Sequence, residues 1–196
     1  MIKLTKIVII FATYYLIWCT ASSAFQNVLT KIFEEDGDHS ISPFNFLVGY
    51  SFFMIGNVFA PLIKFHYKKV LALISIASCI RYALCFLLFV DNQPVKYLSS
   101  GFGAAIFGLA QSALWVCAGK YIHEACHMFD KLDEKGHYYG LFNFIFNFSG
   151  MIGGIVATFG LELLSHKNYF FLVTAICATT FLFALFCVEN IENKEE

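Results

Sequence analysis

The chain has 196 residues, of which 59% are hydrophobic and 14% are charged, with a formal net charge of −1 at pH 7. This composition leaves no stretch for a soluble domain and suits helices whose outer faces meet lipid as well as protein. The near-zero charge carries no information about partners, and we expect no nucleic acid among them.

Six apolar stretches, each close to the roughly 20 residues that a helix needs to cross a bilayer, follow one another along the chain. Only short polar joints separate them. They cover residues 7–29, 44–63, 70–90, 97–118, 141–164 and 169–188. The sequence therefore predicts an all-α, integral, multi-pass membrane protein with six transmembrane helices in a single domain over residues 1–196.

The first stretch also has features of a cleavable signal peptide. Lys3 and Lys6 precede its apolar run, and small residues follow that run at positions 21–24. Cleavage would leave five spans, whereas the even count of six agrees with the distribution of lysines. We therefore favour a membrane span.

Lysine residues predict the orientation, because short loops rich in Lys and Arg stay in the cytoplasm. Lys31, Lys96 and Lys167 fall on one side of the predicted membrane, where an acidic turn at 34–38 accompanies them. The nine that fall on the other side are Lys3, Lys6, Lys64, Lys68, Lys69, Lys120, Lys131, Lys135 and Lys194. We expect both termini in the cytosol.

The fourth stretch carries a stripe of small residues, Ala104, Gly108 and Ser112, at four-residue intervals. Such a stripe lets the backbone of another helix approach closely. Gln111 lies beside it, and its amide would be unpaired in lipid at a cost of a few kcal/mol. We expect Gln111 to face protein or a water-filled cavity, either as a hydrogen-bonding residue between helices or as a substrate contact.

The fifth stretch combines Asn143 and Asn147, four residues apart, with the GxxxG pair Gly150 and Gly154. For this pair we favour packing against another span of the same chain over dimerisation. Asn57 in the second stretch is a further polar residue for the interior of the bundle.

Arg81 is the one formal charge near the middle of a predicted span, and an ionisable residue there is a candidate functional residue. No Asp or Glu lies at mid-depth in any span. If Arg81 faces a cavity, it holds an anionic solute; if not, it reaches an interface or bonds to backbone carbonyls and Gln111. The missing carboxylate also disfavours proton symport by this chain alone.

His123, Glu124 and His127 spell HExxH, which on a helix sets two imidazoles on one face to hold zinc and places a Glu to activate water. A catalytic zinc needs a third protein ligand, and only the same short loop offers one. We therefore favour a polar helix end over an intramembrane zinc metalloprotease. We expect no enzyme activity, no metal and no cofactor.

Local patterns through most of the chain carry a resemblance to a known family. The residues concerned are 24–30 with Asp36 and Gly37, then Tyr50, Gly56, Ala60 and Pro61, then 101–105 and Gln111, and then Gly136, Tyr139, Gly140, Phe142, Asn147, Ser149, Gly150 and Gly153. Together they resemble the Unc-ninety-three (uncoordinated ninety-three) family, a divergent branch of the major facilitator superfamily. The loop 64–69 departs from the superfamily signature because it lacks its Gly and Asp, and this departure disfavours ordinary transport.

The resemblance implies a major-facilitator-type half bundle of two three-helix repeats, similar to the amino-terminal half of a twelve-helix fold. It also implies a partner within the bilayer, either another membrane protein or a second half-bundle, which includes a homodimer. Family members include regulators of potassium channels and escorts of membrane receptors, so we expect an accessory or regulatory subunit. The alternative is a solute transporter that acts as a dimer of halves and lines its cavity with Arg81, Gln111, Asn143 and Asn147.

Overall fold

Six long α-helices follow one another in the computed structural model, which describes residues 2–35, 40–62, 66–189 and 191. They are α1 (Ile2–Glu35), α2 (Ile41–Phe59), α3 (Tyr67–Leu84), α4 (Gln93–Met128), α5 (Lys135–Leu163) and α6 (His166–Phe186). Short 3-10 helices, Ala60–Leu62, Cys85–Phe89 and Leu132–Glu134, continue α2 and α3 and precede α5. All six long helices are apolar enough to cross a membrane, and these residues form no strand. The predicted all-α membrane protein with six spans is therefore confirmed.

α4 and α5 extend beyond their predicted spans on the same side of the bundle. α4 continues past the predicted end at Ala118 because its inward positions stay buried as far as Cys126. α5 begins before its predicted start and already buries Tyr138. At its other end α4 is fixed by Asn92, whose side chain accepts a hydrogen bond from the Val95 backbone nitrogen at 3.3 Å.

The helices pack in pairs around a central α1. α1 packs along α5 and against α6, whereas α4 packs along α2 and α3, and α3 also packs on α6. In the most apolar stretch of α1, 67% of residues are buried, against 17% in α2 and 22% in α5. α2 and α5 therefore present the largest uncovered faces of the bundle.

Lys3 and Glu189, near the first and last described residues, lie at the same end of the bundle as the connections that follow α2 and α4. The Lys3 ammonium lies 5.9 Å from the ring centroid of Phe129, just after α4. The Tyr121 hydroxyl donates to the backbone oxygen of Glu189 at 3.1 Å. Lys120 donates to the Pro61 oxygen at 3.0 Å. This arrangement agrees with an even number of spans, while the side of the membrane on which this end lies stays a prediction. Lys64, Lys194 and the turn at 36–39 lie outside the described residues.

A polar cluster joins three helices inside the apolar core. The Tyr14 hydroxyl of α1 lies 3.0 Å from the hydroxyl oxygen of Ser75 in α3 and donates to the Leu71 backbone oxygen at 2.9 Å. Thr180 of α6 donates to the same Ser75 oxygen at 2.8 Å. Trp18, one turn further along α1, donates to Ser78 at 2.9 Å. Because lipid offers these groups no partners, their mutual hydrogen bonds fix the contact between the helices.

Candidate functional site

Arg81 lies in the last turn of α3 and is buried, with 4% of its surface exposed. Two aromatic rings hold its guanidinium group. The guanidinium carbon is 4.0 Å from the ring centroid of Phe107 in α4 and 4.8 Å from that of Phe25 in α1. The negative faces of these rings attract the cation and fix its position between helices.

A neutral amide, not a carboxylate, accepts a hydrogen bond from this cation. Arg81 Nη2 donates to Asn45 Oδ1 of α2 at 3.0 Å. Asn45 in turn donates from Nδ2 to the backbone oxygen and the hydroxyl of Ser100, at 3.2 and 2.9 Å. Arg81 Nε is buried and has no hydrogen-bond partner in residues 2–35, 40–62, 66–189 and 191. Within the described part of the chain, Arg81 forms no ion pair.

A cavity of about 20 Å³ lies beside Arg81. This is close to the smallest volume that holds one water molecule. Its lining includes Gln26, Asn45, Tyr50, Arg81, Phe107 and Gln111. The structure therefore brings together two of the predicted cavity residues, Arg81 and Gln111, but Arg81 bonds to Asn45 and makes no hydrogen bond with Gln111 among the described residues.

The small-residue stripe of α4 lies against α2. A Cβ added at Gly108 would meet the backbone oxygen of Gly49 and lie 2.9 Å from the backbone nitrogen of Phe53. On either side of Gly108, Ala104 and Ser112 contact the same helix and are also buried. Only a residue without a side chain permits so close an approach of two helix backbones.

The GxxxG pair of α5 has a different environment. Nothing in the described chain comes within 4 Å of a Cβ added at Gly150 or Gly154. The contact with α1 is made by Gly153, where an added Cβ would lie 3.0 Å from the Thr20 oxygen and 2.6 Å from the Ser23 Cβ. We expected Gly150 and Gly154 to pack against another span of the chain. Gly153 makes this contact instead, because the side of α5 that faces α1 is the side that carries Gly153.

Three asparagines predicted for the bundle interior are exposed. Asn143 and Asn147 lie on the uncovered side of α5, and Asn57 lies on that of α2. None of these side chains has a hydrogen bond to any of residues 2–35, 40–62, 66–189 or 191. The structure does not place them in the cavity beside Arg81.

The HExxH residues lie in the last turns of α4. His123 and His127 are exposed at the end of the bundle, and Glu124 is half-buried. Among the described residues, no group of three His, Cys, Asp or Glu side chains is arranged to hold a metal ion.

Sequence reasoning missed the polar residues Asn45 and Ser100 of this site, and also the aromatic residue Phe107. Asn45 is one polar residue near the start of an apolar span, and nothing in its local sequence links it to Arg81. The available signal is indirect: a span arginine without an acidic residue at its depth requires a neutral acceptor on a neighbouring helix.

These features define an integral membrane protein that crosses the bilayer several times and buries a cation with a neutral partner. The family model described as "Ion channel regulatory protein UNC-93" matches residues 31–191. Because the match covers most of the chain, the protein belongs to the UNC-93 family of ion channel regulatory proteins. No curated protein and no solved structure matches it. A wider relationship to the major facilitator superfamily stays a prediction.

Proposed function

We propose that the chain is an accessory, regulatory subunit that binds another membrane protein of the ion-channel class. The contact surface is the α5 stripe, defined as Asn143, Asn147, Gly150 and Gly154. The observation that carries the proposal is that this polar, small-residue side of a membrane-spanning helix is uncovered. The family description supports the class of partner.

The two asparagines give the energetic reason for a partner. Each carboxamide has donors and acceptors that make no hydrogen bond with a described residue, and lipid supplies none. An amide left unpaired in an apolar environment costs a few kcal/mol. Hydrogen bonds to another transmembrane helix would offset this cost, so the exposed Asn143 and Asn147 favour protein over lipid as their neighbour.

The two glycines give the steric reason. Spacings of four, three and four residues set the α5 stripe along one face of the helix. Gly150 and Gly154 leave open space at the middle of that face, into which a partner helix fits closely. Large side chains flank it, since Phe144 is 66% exposed and Met151 is 59% exposed. Both lie along the same side of the stripe, and Gly153 packs against α1 on the other side.

A wider cavity continues this surface at the end of the bundle away from the termini. It has a volume of about 380 Å³ and lies between α1 and α5. Asn27, Lys31 and Glu162 line it together with Gly154. The contact surface thus runs from exposed amides in the membrane to charged groups near its edge, as expected for a partner with both a transmembrane helix and a polar flanking segment.

A pair of matched variants tests the proposal. Gly150→Leu fills the α5 stripe at an exposed position where an added Cβ meets open space, whereas Ala178→Leu adds bulk at an exposed position of α6. A photoactivatable residue at position 147, with position 182 on α6 as control, identifies the neighbour in cells. We expect a channel subunit cross-linked at 147 only, and at least tenfold less of it co-purified with Gly150→Leu than with Ala178→Leu. Equal cross-linking at both positions, or equal recovery with both leucine variants, would contradict the proposal.

The transporter alternative has less support from the site. Pockets for small organic molecules enclose about 300–1,000 Å³, whereas the cavity beside Arg81 has about 20 Å³. Transport of such a solute would require a second half to enlarge the site. Saturable uptake of a defined solute by the purified chain in liposomes would favour that alternative over the accessory role.

A further inference from the structure

We propose that the cavity beside Arg81 is a binding site for a small monovalent anion of about the size of chloride. The site is distinct from the α5 stripe, so this proposal stands or falls independently of the accessory function. Three observations carry it: a buried cation that forms no ion pair among the described residues, amides in the same cavity without a hydrogen bond to a described residue, and the size of the space.

The charge of Arg81 is the first observation. Its side chain is almost fully buried, its hydrogen-bond partner Asn45 is neutral, and its Nε has no partner among the described residues. A buried charge without a counter-charge is costly, and removal of one ion from a buried pair typically destabilises a protein strongly. The rings of Phe25 and Phe107 offset part of this cost. An anion in the adjoining space would supply the missing negative charge.

The amides that line the cavity are the second observation. Gln26 of α1 and Gln111 of α4 both border it. Neither side chain has a hydrogen bond to another described residue, and each carboxamide has two N–H donors. The side-chain N–H groups of Asn45 donate to Ser100. These bonds orient the Asn45 amide so that its oxygen accepts from Arg81. The free donors around the cavity therefore favour an acceptor, and an anion is the strongest acceptor.

The size and access of the cavity are the third observation. A space of about 20 Å³ is close to that needed for one water molecule or one monatomic anion and is far smaller than pockets that enclose organic molecules. Tyr50, at its rim, is 60% exposed. The cavity therefore borders the uncovered side of α2.

To test the site, the midpoint of thermal unfolding of the purified full chain in detergent is measured in sodium chloride and in sodium gluconate at equal ionic strength. Gluconate is too large for the cavity. At chloride about tenfold above its Kd we expect a midpoint about 3–6 °C higher than in gluconate. Sodium bromide should act like chloride.

Two variants separate anion binding from a general salt effect. Gln111→Glu places a resident carboxylate in the cavity, so the chloride response should disappear while the protein stays folded. Lys167→Gln removes an exposed cation beside Phe89 without touching the cavity and should keep the full response. Gln111→Leu removes one of the two carboxamides, with both of its N–H donors, and should weaken chloride binding at least tenfold.

Either of two results would overturn the proposal. The first is an equal midpoint in chloride and gluconate for the unmodified chain, which would mean that the cavity holds only water. The second is a chloride response of the same size in Gln111→Glu, Gln111→Leu and Lys167→Gln, which would mean that chloride acts elsewhere. Gel filtration and far-ultraviolet circular dichroism of each variant show that the comparison is made between folded proteins.

Discussion

Arg81 donates a hydrogen bond to the side-chain oxygen of Asn45 at 3.0 Å, and this contact ties α3 to α2. Both helices pack along α4. The hydrogen bond between Arg81 and Asn45 therefore lies inside a unit of three helices, α2, α3 and α4. The cation is bound by a neutral amide and not by a carboxylate. Asn45 therefore contributes to the stability of all three helices.

We expect Asn45→Leu to lower the free energy of unfolding by about 2–3 kcal/mol, because it leaves the buried guanidinium without its acceptor. The double variant Asn45→Leu with Arg81→Met should lose less than Asn45→Leu alone, since no charge is then buried. Thermal unfolding in one detergent measures both. Asn143→Leu, an exposed control, should leave the chain's stability close to unchanged. A double variant less stable than the single one would show that Arg81 stabilises the fold by itself.

Gly108 and Gly154 allow a matched comparison of two glycines on neighbouring helices. Gly108→Ala forces a Cβ against the backbone of α2 and should cost about 1–3 kcal/mol. Gly154→Ala meets open space and should be neutral or slightly stabilising, because Ala is the better helix former. The readout is the midpoint of thermal unfolding of each purified variant. If the two substitutions had equal effects, the close contact between α2 and α4 would be wrong.

Ser75 should couple α3 to α6 through its hydrogen bond with Thr180. A double-mutant cycle with Ser75→Ala and Thr180→Val isolates this bond, and we expect a coupling free energy of about 0.6 kcal/mol, the average for such bonds in a membrane protein. Thr179 bonds only to the backbone of its own helix. Substitution of Thr179 by Val in the same cycle should therefore give a coupling near zero. A coupling with Thr179 as large as that with Thr180 would argue against the placement of α6.

The sequence predicts the six helices well because their existence depends on local properties, namely length and hydropathy. The ends of α4 and α5 are less predictable, since polar residues continue a helix when tertiary packing still buries one of its sides. Asp36 and Gly37, part of the family pattern, lie outside the described residues. Nothing local distinguishes the residues of the helix surface that meet lipid from those that meet protein.

The candidate site shows this limit most clearly. Arg81 stands out in the sequence because a charge within a span is rare, yet its partner Asn45 comes from another helix and is uncharged. On α5, Gly150, Gly153 and Gly154 all suit close packing, but only the rotation of the helix against α1 selects Gly153. Both results depend on how helices pack in three dimensions, which periodicity alone does not encode.

The distribution of lysines predicts the side of the membrane on which the chain ends lie, and two exposed positions test it. Asp133 precedes α5 at the end of the bundle that holds both termini, and Asn168 begins α6 at the opposite end. In a Cys187→Ser background, Asp133→Cys should react with a membrane-impermeant maleimide as soon as digitonin opens the plasma membrane. Asn168→Cys should stay protected from the cytosolic side and react from the other side. The physical reason is that lysine-rich short loops resist translocation. The reverse pattern of labelling would place the termini outside the cytosol and contradict the prediction.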